Sequence, residues 1–230
     1  SLTGSGTLIK DGGFQQRLQG PSVAFSGTVR PNNGLLIVNP TGGNLTGEPD
    51  LFFSSTDAND GVIIGDQFNG KAIGLGNLDG SGSEAAKIRC DWGANGFRIL
   101  SVNQTTDGAF AGVIQQSNAS RDFALVKTGS AKLTLSGANT FAQGTTVSNG
   151  TLLVNNASGS GTGTGTLTVQ TGATLGGTGS IGGVATLESG STLAPGVSPG
   201  TLTFTAGMTM DAGSALTMEM GTSSDLISVT

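Results

Sequence analysis

Gly196-Val-Ser-Pro-Gly200 has the G-x-S-x-G spacing of a nucleophile elbow. Such an elbow places a serine on a sharp strand-to-helix turn and needs a histidine to take its proton. The sequence contains no histidine, so Ser198 has no such base and a Pro-Gly corner is the better reading. Gly177-Thr-Gly-Ser-Ile-Gly182 has the G-x-G-x-x-G spacing of a dinucleotide loop. That motif holds pyrophosphate only where it opens a helix, and no helical periodicity follows it. With 41 glycines in 230 residues, the match is expected by chance.

Carboxylates are the next candidates. Asp57-Ala-Asn-Asp-Gly61 and Asp79-Gly-Ser-Gly-Ser-Glu84 gather oxygen ligands on tight loops, and their residues Asp57, Asn59, Asp60 and Asp79 have the chemistry that suits calcium. Neither stretch has the full twelve-residue loop with its glycine and terminal glutamate, so solvated turns are the preferred reading and no metal or other cofactor is expected. Asp50, Asp57, Asp60 and Asp66 sharing one face would suit polysaccharide cleavage, but acids spread over turns chiefly confer solubility. Trp92, Phe97 and Arg98 are candidates for a carbohydrate-stacking surface, against a bland reading as core or as a cap. Sequons at Asn44, Asn103, Asn118 and Asn156 follow from a composition rich in Asn, Ser and Thr.

Composition limits the elements that would hold these residues. Charged residues are 11% of the chain, against a usual quarter or so. Disorder of the common kind needs many charges and few aliphatics, so this is an ordered chain with a surface of Thr, Ser, Asn and Gly. A net charge of −5 without any basic run excludes a nucleic-acid binder. No stretch reaches the ~20 apolar residues of a membrane helix. No signal peptide opens the sequence at Ser1, and the expectation is a mature or excised piece. Cys90 is the single cysteine, read as a small buried hydrophobe rather than an intermolecular link.

Short runs in which threonine alternates with an aliphatic recur at Leu133-Thr-Leu135, Thr151-Leu-Leu-Val154, Thr166-Leu-Thr-Val169, Thr201-Leu-Thr-Phe204 and Ala215-Leu-Thr-Met218. That pattern suits a pleated strand with one face buried and one wet. Asn-Gly and Asp-Gly pairs, which favour tight reversals, punctuate the first 150 residues. Only Ser83 to Arg89 has the composition for a helical turn or two. The chain is all-β.

Of 25 charged residues, 20 lie in 1–128. The expected organisation is one continuous body, with a decorated part over 1–119 and a regular Gly/Thr-rich part over 120–230. Internal echoes support this. Ser1-Leu-Thr-Gly-Ser-Gly-Thr-Leu-Ile-Lys10 resembles Val126-Lys-Thr-Gly-Ser-Ala-Lys-Leu-Thr-Leu135, and Phe25-Ser-Gly-Thr-Val29 resembles Phe110-Ala-Gly-Val-Ile114. Units this short cannot bury an apolar face alone and must stack on neighbours. Stacked short strands with glycine corners describe a parallel β-solenoid. A sandwich would show longer hairpin-paired strands and a propeller a period of about 40–45 residues; a sandwich-like insertion within 40–110 fits the composition there.

One stretch is specific enough to resemble a family. Leu125, Lys127, Thr128, Gly129, Leu133, Leu135, Ser136, Gly137, Ala138, Asn139, Thr140, Phe141, Gly144, Thr145, Thr146, Val147, Gly150, Thr151 and Leu152 follow the pattern of the passenger-associated transport repeat, also called the autotransporter-associated β-strand repeat. Ala131 stands where that pattern has a second glycine, and Phe141 where tyrosine is common. The stretches 175–183, 193–202 and 224–229 are similar to the continuation of such passengers, so the resemblance covers roughly 120–230. It implies a right-handed β-helix in a large, secreted bacterial surface protein.

The reading that follows is a structural β-helix, not an enzyme, that associates end to end into a fibre or forms part of a long surface stalk. The chain begins and stops inside repeat-like strands, and Leu2, Leu8, Leu226, Ile227 and Val229 are the expected contact residues. Partners are further copies or further repeats of the same polypeptide, and glycans if the runner-up holds. That runner-up is an adhesin or carbohydrate-binding passenger; a polysaccharide-degrading enzyme ranks third. At roughly 20 residues per coil and about 4.8 Å per step, the body is about 11 coils and ~55 Å long.

Overall fold

The computed structural model describes residues 2–18, 23–32, 34–38, 45–46, 48–52, 61–64, 72–80, 86–89, 96–116, 118, 120–196, 199–220 and 224–230. Among these, every paired strand is parallel and no helix occurs. The chain is a parallel β-solenoid in which successive coils lay one strand on each of three faces.

The first face starts with Leu2–Gly4, Val23–Phe25 and Leu45–Thr46. It continues as a seven-stranded sheet, seven turns of the solenoid, from Ala72–Leu75 through Gly96–Asn103, Arg121–Thr128, Thr145–Val147, Leu167–Val169 and Ala185–Leu187 to Met208–Met210. Leu45–Thr46 touches Ala72–Leu75, so the two sheets form one column. The second face runs from Thr7–Lys10 through Lys132–Leu135 and Thr151–Val154 to Ala215–Leu216. The third runs from Gln16–Leu18 to Val113–Gln115 and resumes at Ser180–Ile181, Thr201–Phe204 and Leu226–Val229.

Strand period two explains the packing. Leu133, Leu152, Leu175 and Leu193 are in register on the second face and fully buried, with Leu216 above them. Burying each such leucine stabilises by about 1.5–3 kcal/mol. The alternate residues face outward, so Thr146, Thr168, Thr186 and Thr209 form one threonine column on the first face. Here the alternation of threonine and aliphatic residues becomes a layered core inside a hydroxyl surface.

Coil length varies. In-register partners are 20 residues apart from Leu125 to Thr145 and 18 from Leu167 to Ala185, close to expectation. From Ala72 to Ile99 the coil takes 27 residues. These longer central coils leave fewer levels than about 11: the two sheets of the first face together hold ten strands among the described residues. The coils of 45–124 stay in parallel register, without a sandwich among the described residues. Lys87–Arg89 is a strand of the third face and not helical, because Ile88 is drawn into the core between Val62 and Ile114; residues 83–85 lie outside the described set.

Both sequence echoes have structural meaning. Leu2–Gly4 with Thr7–Lys10, and Arg121–Thr128 with Lys132–Leu135, occupy the same two faces around a glycine corner. Phe25 and Phe110 instead place one local corner at two different vertices. Each precedes a glycine, Gly27 or Gly112, pressed against its ring and against a carbonyl of the coil below.

Candidate functional site

The residues with chemical potential are at the corners, where strand pairing stops and backbone groups need other partners. Asp122, almost fully buried, accepts N–H bonds from Phe123 at 2.7 Å and from Ala142 one coil on at 2.9 and 3.0 Å. Asp50 accepts from the Asn77 backbone N–H and side-chain amide, and Asn77 in turn accepts from Thr105 and Thr106. Asp225 accepts from Gly200 and Glu219. Asn139 takes the Ile114 N–H below and gives its own amide to the Gly161 carbonyl above. These groups form a polar ladder between coils.

The proposed calcium and acid sites divide accordingly. Asp57, Asn59 and Asp60 lie outside the described residues. Asp79 accepts from Gly80 and Ala109 and lines a shallow notch of about 280 Å³ with Asp107 and Lys132. Asp107 accepts the Lys132 backbone N–H at 2.9 Å and pairs with its ammonium at 3.0 Å. Those bonds, the backbone one foremost, hold its carboxyl below the ordinary 3.8. A lowered carboxyl value stabilises the fold above the ordinary range and stops doing so as pH falls through the folded value. The stability difference between wild type and Asp107→Asn, followed by thermal unfolding, is therefore expected to be level from about pH 5 to 7 and to shrink as pH falls below that. Among the described residues no three metal-ligating side chains gather.

The two glycine motifs are structural. Thr178, Gly179, Ser180 and Gly182 all direct their N–H groups to the preceding coil, at Asn155, Val154, Asn156 and Ser160. None of these four remains for a phosphate, and the strand Ser180–Ile181 follows where a helix would be needed. Gly196 sits at a corner with φ +91° and strand Thr201–Phe204 follows; Val197 and Ser198 lie outside the described residues. Asn156, a sequon residue, is buried and spends its side chain on Ser158, Gly159 and Ser180.

Phe97 and Arg98 do not share a surface. They are consecutive in strand Gly96–Asn103 and point to opposite sides: Phe97 is 43% exposed while Arg98 is fully buried and donates to the Gly96 carbonyl. Trp92 and Cys90 lie outside the described residues. A groove of about 430 Å³ beside the second and third faces is lined by small residues such as Ala111, Ser136, Ala138 and Ala157, without an ionisable group.

Lys127 stands in an inward column between Val102 and Val147, fully buried. Its stem packs as an apolar chain and its ammonium reaches the corner, donating to the carbonyls of Thr128, Gly129 and Asn149 at 2.8–3.0 Å. Burial lowers its pKa from 10.5 to about 8, partly offset by Asp107. Three carbonyls match the three N–H bonds of an ammonium, so Lys127 is a cation at neutral pH. Lys10 repeats the device one corner further round, donating to Asp11 and Gly12. The sequence signal was a lysine at an inward position just before an Asx-Gly or Thr-Gly corner.

The coil held by Lys127 is also the one that matches a known family. The passenger-associated-transport-repeat model covers residues 125–154. This segment matches the passenger-associated transport repeat. It spans 30 of the 230 residues, and the similar stretches after 154 lie outside the match. In the repeat, Leu125, Leu133, Leu135, Phe141, Val147 and Leu152 are all fully buried, Asn139 bridges three coils, and Lys127 closes the corner. The repeat and the solenoid together fit an autotransporter passenger. No curated protein and no solved structure matches the chain.

Proposed function

We propose that the chain is a structural shaft of a secreted, bacterial surface-displayed passenger, and that its coils associate end to end with a second copy. The observation that carries the shaft is its continuous core, in which Leu133, Leu152, Leu175 and Leu193 stack in register and fully buried; further coils, of this polypeptide or of a second copy, would add at the coil edges. Met208–Met210, Ala215–Leu216 and Leu226–Val229 each occupy the last position of a sheet. Leu216 is 47% exposed, and Leu226 and Val229 are each 54% exposed. Met218 and Met220 add exposed apolar surface beside them.

The lowest coil offers a fitting partner. Leu8 and Leu18 are only partly buried against the core, and Leu2, Leu8 and Leu18 lie on the same three faces in the same order. Setting Leu8 over Leu216 and Leu18 over Val229 continues the inward columns, and Thr3 then extends the threonine column above Thr209. Ile227, packed against the core, sets that strand's register. A head-to-tail contact of this kind is heterologous and propagates as a filament. Further repeats of one longer polypeptide would satisfy the same edges. Protein chemistry supports the structural reading too, since Asp50, Asp79, Asp107, Asp122 and Asp225 cap backbone N–H groups.

Electron microscopy and sedimentation across a concentration series test the reading. Unbranched fibres that Leu216→Lys and Val229→Lys abolish are the expected result, and persistent monomers of the wild type overturn it. In that event the exposed Phe97 favours the adhesin reading, which glycan-array binding lost in Phe97→Ala would support.

A further inference from the structure

Asn149-Gly150 forms the corner between strands Thr145–Val147 and Thr151–Val154. Gly150 donates its N–H to Oδ1 of Asn149 at 2.7 Å, so the nitrogen rests against the side-chain amide of the residue before it. The Lys127 ammonium donates to the Asn149 carbonyl oxygen at 3.0 Å, and that carbonyl belongs to the same peptide unit as the Gly150 N–H. A cation on a peptide carbonyl withdraws density from its nitrogen and makes the N–H more acidic. Asn149 itself is exposed, so solvent base and water reach the corner.

We propose that Asn149 is a self-modification site, in which the buried Lys127 ammonium promotes succinimide formation and deamidation at the corner. Solvent base takes the Gly150 N–H proton, and the nitrogen attacks Cγ of Asn149. The new C–N bond closes a five-membered imide as the Cγ–Nδ2 bond breaks and ammonia leaves with a proton from water. Water then adds to either imide carbonyl and gives aspartate or isoaspartate. The net change is one water consumed and one ammonia released, without any oxidant. Asp11-Gly12 repeats the arrangement, with Gly12 N–H on Asp11 Oδ1 at 2.9 Å and Lys10 on the Asp11 carbonyl at 3.2 Å. There the same attack expels water and isomerises the aspartate.

The products alter the solenoid locally. Aspartate puts a carboxylate beside the Lys127 ammonium. Isoaspartate adds a methylene to a backbone that has little room, because even a Cβ on Gly150 would come within 2.5 Å of the Gly129 carbonyl and 2.7 Å of the Ala131 carbonyl. The corner therefore opens as the protein ages.

The test is peptide mapping by mass spectrometry of the folded chain held at neutral pH, beside the same chain unfolded in guanidinium chloride. Folded wild type is expected to convert Asn149 several-fold faster than the unfolded chain, releasing ammonia in proportion. Lys127→Arg keeps that acceleration and Lys127→Met, where circular dichroism shows it folded, loses it. Slower conversion in the folded chain, or an unchanged rate in folded Lys127→Met, overturns the proposal. The pH profile separates promotion from mere exposure. The charged groups facing Lys127 are Asp107 and, paired with it, Lys132. As Lys127 loses its proton near pH 8, the climb of rate with pH flattens in wild type and continues unbroken in Lys127→Arg. An unbroken climb in wild type counts against the role of Lys127.

Discussion

Replacing Lys127 by methionine lowers the stability of the solenoid by about 3 kcal/mol, although the apolar stem is kept. The carbonyls of Thr128, Gly129 and Asn149 lose the donor they share; Thr128 keeps the Gln104 N–H, and the other two part-buried acceptors cost about 1–3 kcal/mol each before relaxation and water reduce the sum. Thermal unfolding of a chain this long should show a midpoint lower by about 5–10 °C. Lys127→Arg should recover part of it, because a guanidinium also donates to several carbonyls. The pH dependence has a defined sign. The folded value near 8 lies below the free value of 10.5, so between them the unfolded chain binds the proton more strongly and stability rises with pH. Below pH 8 the lysine is protonated in both states and adds no slope. Wild type should therefore gain on Lys127→Met from about pH 8 to 10.5 in equilibrium denaturation, and parallel curves across that window would show that burial does not perturb this lysine.

Lys127 also marks where the sequence stopped being legible. Alternating Thr and Leu in 132–135, 151–154 and 201–204 announce strands, because period two reports a half-buried pleat whatever the surrounding topology. The layered leucine column follows from the same pattern. A lysine inside such a pattern reads as an outward residue, and only the corner geometry reveals that its ammonium turns back to three carbonyls. The vertex at which a corner falls is hidden for a related reason. Phe25-Ser-Gly and Phe110-Ala-Gly are one local structure, yet the first joins the first face to the second and the second joins the second face to the third. Coil length, from 18 to 27 residues, decides this, and it is set by how corners stack rather than by their letters. Arg98 and Phe97 follow the same alternation, which sends neighbours in a strand to opposite sides and buries the charged residue while it exposes the aromatic one.

A glycine series isolates what the corners require. Coils stack at the 4.7–4.9 Å of parallel strands, and at Gly137 the chain lies so close to the coil below that an added Cβ would run into the Gly112 carbonyl. The nearest atoms are all backbone of Ala111 and Gly112, so no side chain can swing away. Gly137→Ala must separate two coils, straining the bond from Ser136 N–H to the Phe110 carbonyl and those of Asn139 with Ile114 and Gly161. Overpacking that side chains can absorb costs about 1–3 kcal/mol; here the expected loss is at the top of that range or above it. Gly172 has φ +81° but open space around its Cβ position, so Gly172→Ala should cost only the left-handed conformation, about 1–2 kcal/mol. Gly6 has open space and no such φ, and Gly6→Ala should leave the midpoint nearly unchanged. Equilibrium unfolding of the three variants should rank them Gly137, Gly172, Gly6. Equal losses at Gly137 and Gly172 would mean that backbone conformation, rather than the approach of one coil to the next, is what the corner glycines supply.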